Sequence, residues 1–274
     1  MSARGFLIRG LLAGLVAAFA AFGVAYVVGE PPLRAAIAQE DSTGGHSHGT
    51  ETADTEHAGA GHTDTGAGHA DAEGPAAGDV EVPRSLQSTV GLLTGLVVAG
   101  VVLGGLVGAV SALAMGRFGR VSPRSSTLAV AAVAFVAVYA VPFVIYPPNP
   151  PAVGSGDTIG LRSALYFIAL AISLIAAVTA VLVGRRLSAR VGGWHATLIG
   201  IAGYVVVMLV VMAVLPHYNE VPDTFPASVL YDFRRASFLT QFTLWTVLGV
   251  VLAEFVGRLS RTAGREPALA DVRG

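Results

Sequence analysis

Cysteine and lysine are both missing from this 274-residue chain. Without a thiol there is no disulfide, thiolate metal site, iron–sulfur cluster or cysteine nucleophile. Without lysine there is no Walker A loop, whose lysine reaches the nucleotide phosphates, and no Schiff-base chemistry. All 17 basic residues are arginine. Charge of either sign is also scarce. Only 13% of residues are charged and 53% are hydrophobic, where a soluble domain has about 25% and about 45–50%. So little charge cannot coat a globule in water, and lipid must be the solvent. A net charge of −1 gives no basis for a nucleic-acid partner.

What the chain does have is long apolar runs. Six stand out: Phe6–Val28, Leu86–Met115, Leu128–Tyr146, Leu161–Val183, Trp194–Leu215 and Ser237–Val256. Each is near the roughly 20 residues that a ~30 Å hydrocarbon core demands. No charge sits at the centre of any run; Arg9, Arg162 and Glu254 lie near ends, where they snorkel or pair. The fold expected is all-α, a polytopic membrane protein of about six transmembrane helices. Arginine counting sets the orientation, because cytoplasmic loops collect positive charge. With the N-terminus inside, twelve arginines fall on the cytoplasmic side and five (Arg34, Arg84, Arg162, Arg234 and Arg235) outside. Both termini are therefore expected in the cytoplasm of a cell (inner) membrane protein, with outer loops 29–85, 147–160 and 216–236. Residues 1–28 form the first span, 86–257 a five-helix bundle and 258–274 a cytoplasmic tail.

The first run also has marks of a signal peptide, with Arg4 and Arg9 ahead of it and Ala36-Ile37-Ala38 as a small-residue cleavage site. Its 23 residues exceed a typical h-region of ~7–15, which favours retention as a span. Glycines four apart, the spacing of close membrane-helix contacts, occur at Gly10 and Gly14, at Gly91 and Gly95, and at Gly100, Gly104 and Gly108. They fit a contact inside the chain, with a homo-oligomer or partner helix as the alternatives.

Residues 39–82 differ from everything around them. They hold ten carboxylates, no arginine and five of the seven histidines. Gly59-Ala60-Gly61-His62-Thr63-Asp64 is nearly repeated as Gly66-Ala67-Gly68-His69-Ala70-Asp71. With so few large apolar residues, the segment cannot offset its ordering entropy and is expected to be disordered. His46, His48, His57, His62 and His69 supply imidazole nitrogens, and the neighbouring carboxylates supply oxygens. Such tracts read as sites for divalent Co, Ni, Cu or Zn. The competing reading is a polar spacer.

The second outer loop opens Tyr146-Pro147-Pro148-Asn149-Pro150-Pro151 and continues through Gly154, Asp157, Thr158 and Arg162. The third runs Leu215-Pro216-His217-Tyr218-Asn219-Glu220-Val221-Pro222-Asp223, then Phe225-Pro226-Ala227 and Asp232 to Arg235. These motifs resemble the CbtA family, a predicted cobalt transporter subunit of bacteria, and the similarity covers all the spans. The resemblance implies cobalt uptake linked to cobalamin synthesis. It also implies a partner, a small single-span CbtB-type subunit bearing a histidine cluster. It supplies no ligand residues, so the sites are read from this chain alone.

Arg162, Arg234 and Arg235 sit on the side that disfavours positive charge and at helix N-termini, where the dipole repels cations. They need partners, and Asp157, Glu220, Asp223 and Asp232 lie in the same outer layer. Such pairs either clamp the loops to the bundle or leave carboxylates free to join His217, Asn219 and Glu220 as metal ligands. Met208 and Met212, four apart, read as a thioether ladder or as core filler. His195 beside Trp194 reads as an interface residue, and Glu254 with Arg258 as a local i, i+4 pair. No nucleophile–base motif or pair of buried carboxylates points to an enzyme. The reading that results is a transporter subunit for a divalent metal with no permanently bound cofactor. Nickel or copper transport, and a non-transporting membrane metal buffer, are the alternatives.

A peptide of residues 39–82 should bind Cu²⁺ more tightly than Ni²⁺ or Co²⁺, because flexible imidazoles follow intrinsic affinity. Binding should fade between about pH 7 and pH 5, as histidines with an ordinary pKa near 6.5 take up protons. Calorimetry checks this, and no heat with any of the three ions would remove the capture role.

Overall fold

The computed structural model describes residues 3–43, 83, 86–117 and 121–271. His46, His48, His57, His62 and His69 lie outside the described residues. Among those described, the protein is all-helical without strands, and six helices are long and apolar enough to cross a membrane. They are α1 (Ala3–Ser42), α2 (Ser88–Ala114), α3 (Pro123–Ile145), α4 (Gly156–Val191), α5 (Gly193–Val214) and α6 (Ala227–Leu259). Small residues such as Ala13, Ala17, Ala18 and Ala21 fill the interior, while Val98, Leu106, Val178 and Val206 face outward. That inversion is what a bilayer selects: lipid tails are as apolar as leucine, so large side chains gain little by turning inward.

Two groups of helices result. α1, α2, α3 and α6 share a core that includes Phe6, Ala17, Val107, Ala131, Leu244 and Leu248. α4 and α5 form a hairpin that meets α3 through Ile145, Ala169, Met208 and Val211. The tightest joint is α1 on α2. A methyl added at Gly10 or at Gly104 would land on the other residue's carbonyl oxygen, and one at Gly14 on that of Gly100. One at Gly108 would sit 2.7 Å from the Phe6 carbonyl oxygen. These glycines therefore meet within the chain. Gly95 has nothing within 4 Å and takes no part.

Helix lengths depart from the apolar runs. The sequence ends the first span at Val28 and opens a disordered loop at 29; the helix instead continues to Thr43. Pro31 and Pro32 look like terminators, since proline lacks an N–H and clashes with the carbonyl four residues back. Here a π-helical turn, Ala25–Gly29, immediately precedes them and loosens the helix at that point. The alanine-rich stretch beyond then continues as helix, with Ala36 fully buried against Val153 and Phe225 of the loops. α3 repeats the device, with a π turn at Val136–Ala140 just before Pro142. The Ala137 carbonyl in this turn accepts a bond from the Ser173 hydroxyl of α4, at 2.8 Å. Ser173 also bonds the Tyr204 hydroxyl of α5 at 2.8 Å. Lipid offers a backbone carbonyl no partner, so this three-helix node both satisfies the turn and docks the hairpin. α4 runs on past Val183 to Val191, where Gly192 at φ +81° breaks the helix. α6 begins at Ala227, straight after Pro226.

Gly104→Ala should lower the yield of folded protein, because overpacking of this kind costs about 1–3 kcal/mol. Gly95→Ala, which meets open space, should be neutral. Size-exclusion profiles of detergent extracts compare the two, and equal yields would refute the backbone contact.

Candidate functional site

The two proline-rich loops fold over one end of the bundle and are stapled to it by their motif residues. Prolines keep residues 147–151 out of a helix, which leaves their carbonyls available. The Tyr146 hydroxyl donates to the Pro216 carbonyl at 2.8 Å, joining one loop to the other. Arg234 reaches up from α6: its Nε donates to the Pro148 carbonyl at 3.3 Å and its Nη2 to Asn149 Oδ1 at 2.9 Å. Glu220 accepts from the Thr158 hydroxyl at 2.6 Å and the Ser155 N–H at 2.9 Å, and faces Arg162 Nη1 at 3.4 Å. Arg162 also donates to the Ser155 carbonyl at 3.3 Å. Gly154, at φ +117°, lies over that guanidinium; a Cβ there would be 2.6 Å from both terminal nitrogens. A side chain there would be strained at this φ and would push the guanidinium aside.

The three outer arginines find three kinds of partner. Arg162 takes Glu220, and Arg235 takes Asp232 three residues earlier on its own helix, at 3.2 Å. Arg234 finds the neutral oxygens of Pro148 and Asn149 rather than a carboxylate. Asp157 and Asp223 are exposed and make no ion pair among the described residues. His217 and Asn219 are exposed beside the Glu220 clamp. Among the described residues, no three histidine, aspartate or glutamate side chains converge as a metal site. Met208 is buried in the α3–α5 contact while Met212 faces outward, so the two do not form a ladder. His195 is exposed, as is its neighbour Trp194. At the opposite end Glu254 bonds Arg258, as the spacing predicts, and also Arg124 of α3 at 2.6 Å.

Beneath the loop layer lies a partly open cavity of about 520 Å³ lined by α1, α2, α3, α4 and α6. Its walls are mostly aromatic and aliphatic, among them Phe143, Tyr166 and Phe233, with polar groups from Glu30, Ser237, Thr240 and Gln241. Sequence reasoning left Glu30 in the loop and gave Gln241 no role. One signal was available: a lone carboxylate at the end of an apolar run, directly before two prolines.

Six apolar helices with a stapled polar layer at one end and a cavity below it define a multi-pass membrane protein. The chain belongs to the CbtA family: the model for "probable cobalt transporter subunit (CbtA)" matches residues 3–257. That range takes in α1 to α5, both loops and nearly all of α6. No curated protein and no solved structure matches the chain.

Glu220 links this layer to pH. The Thr158 hydroxyl first, then the Ser155 N–H, hold its carboxyl below the ordinary 4.5, with Arg162 adding to them and partial burial opposing. A carboxyl with a depressed folded pKa contributes stability that is complete above the unfolded value and lost as pH falls through the folded one. The wild-type protein should therefore lose thermal stability progressively below pH 4.5. Glu220→Gln should start less stable at neutral pH and lack that part of the acid decline. Melting curves in detergent across this range test it, and superimposable acid limbs would remove Glu220 from the clamp.

Proposed function

We propose that the protein is the membrane-spanning subunit of an uptake system for a divalent transition metal, cobalt, supplying cobalamin synthesis. The observation that carries this reading is the family match across residues 3–257. It is supported by the fact that Tyr146, Pro148, Asn149, Pro216 and Glu220, from the motifs of the resemblance, are the residues that build the loop layer. With no lysine for a Walker A loop, energy comes from an ion gradient or another subunit. The arginine asymmetry supports a bacterial inner-membrane location with both termini cytoplasmic and the loop layer outside.

In this reading the five histidines of residues 44–82 concentrate the ion at the outer surface, and His217 with Asn219 receives it beside the clamp. Glu220 holds the loops in place. α1 is retained as a span, since it packs on both α2 and α6. A small single-span subunit of the CbtB type completes the transporter.

Deleting residues 44–78 should weaken cobalt uptake when the metal is scarce and leave the maximal rate close to normal. Removing only the capture step changes affinity and not throughput. His217→Ala should instead lower the maximal rate, because a receiving ligand is needed at every metal concentration. Uptake of radioactive cobalt against concentration, with membrane abundance measured alongside, decides the matter. An unchanged half-saturation point in the deletion would end the capture role, and no wild-type uptake would end the transport reading.

A further inference from the structure

We propose that the Glu30 cavity is a binding site for the hydrated divalent cation in transit, with the Glu30 carboxylate as its charged ligand. This deepens the uptake reading and rests on it. Glu30 lines the cavity from α1 and is only 5% exposed. Gln241 lines it from α6, six residues below Arg235, or about 9 Å into the bundle at 1.5 Å per residue. Among the described residues nothing bonds the Gln241 amide. Tyr139 forms part of the α3 wall, and its hydroxyl is buried with no hydrogen-bond partner among the described residues. Glu30 is held by Arg34, whereas the Gln241 amide and the Tyr139 hydroxyl bond nothing among the described residues, and polar groups left so are costly unless something polar reaches them.

The donor set identifies the occupant. It offers hard oxygens and aromatic faces, with no imidazole or thiolate, so it does not select a soft, dehydrated metal. One carboxylate cannot replace a hydration shell. About six waters at ~30 Å³ each need about 180 Å³, well inside a cavity of about 520 Å³. The ion therefore keeps its water, balanced by the one charge of Glu30. Arg34 Nε lies 3.3 Å from Glu30 Oε2 and is mostly exposed, so it acts as the internal cation that an arriving metal displaces. Binding of this kind is weak enough to release its ion, as passage requires.

The test uses the full-length protein with His46, His48, His57, His62 and His69 changed to serine, so that loop binding does not mask the cavity. Equilibrium binding of radioactive Co²⁺ to the purified protein should lose one site in Glu30→Gln, leaving only the ion held at His217 and Asn219, which His217→Ala removes. Maximal uptake in cells should fall about tenfold or more at equal membrane abundance. Tyr139→Phe removes a hydroxyl that bonds nothing among the described residues, so abundance should be unchanged while Co²⁺ binding weakens by about threefold or more. Gln241→Leu should weaken it similarly. Wild-type stoichiometry and uptake in Glu30→Gln would overturn the site and mark the cavity as a recess filled only by water. If Glu30→Gln does not reach the membrane, normal binding in both Tyr139→Phe and Gln241→Leu overturns it instead. Absence of uptake in the wild type would defeat the transport reading alone, because the binding measurement reads the site independently.

Discussion

The contact of Gly10 and Gly14 with Gly100, Gly104 and Gly108 is what the arrangement of the helices depends on. In water, two apolar helices are driven together by the solvent; in lipid that drive disappears, and close backbone approach has to replace it. Only residues without a side chain allow carbonyl oxygens to touch the facing helix as they do here. The joint fixes α1 in the middle of its group, against α2 on one side and α6 on the other. From that position its upper turns reach the loops, burying Ala36 under Val153 and Phe225 and bringing Glu30 to the cavity wall. A contact between two backbones on one side of the membrane thus determines which carboxylate the other side presents.

A second constraint shapes the cavity. Lipid leaves no backbone group free to bond solvent, yet α1 and α3 both carry prolines within their helical length. Each answers with a π turn directly before the proline, Ala25–Gly29 and Val136–Ala140. Ala25, Gly29 and Tyr139 from these two turns form part of the cavity wall. The widened turns and the space between them have one cause. π turns often accompany function for this reason: they redirect side chains without ending the helix.

How much of this was readable in the sequence depends on the range of the interaction concerned. The spans follow from run length alone, and the glycine stripe from spacing within a helix. The Arg162–Glu220 pair was visible as two opposite charges assigned to one thin layer. Arg234 was not, because Asn149 and Pro148 are neutral and nothing marks a carbonyl as an acceptor until the prolines have bent the chain. The length of α1 was misjudged because Pro31 and Pro32 were read without the π turn that accommodates them. Glu30, Tyr139 and Gln241 lie more than a hundred residues apart at the extremes, and only the packing of α1, α3 and α6 brings them together.

The Ser173 node gives the molecule a mechanical property that no single helix has. The α4–α5 hairpin turns much of its surface to lipid and meets the other helices chiefly along α3. Midway along that seam, the Ser173 hydroxyl bonds the Ala137 carbonyl and the Tyr204 hydroxyl. Above that point the seam continues through Met208 and Ile145 to Leu215, and the Tyr146–Pro216 bond closes the outer end. The half of the hairpin that bears Arg185, Arg186 and Arg190 makes no hydrogen bond to α3 among the described residues. The hairpin is thus anchored from its middle to its outer end and held by packing alone at the other.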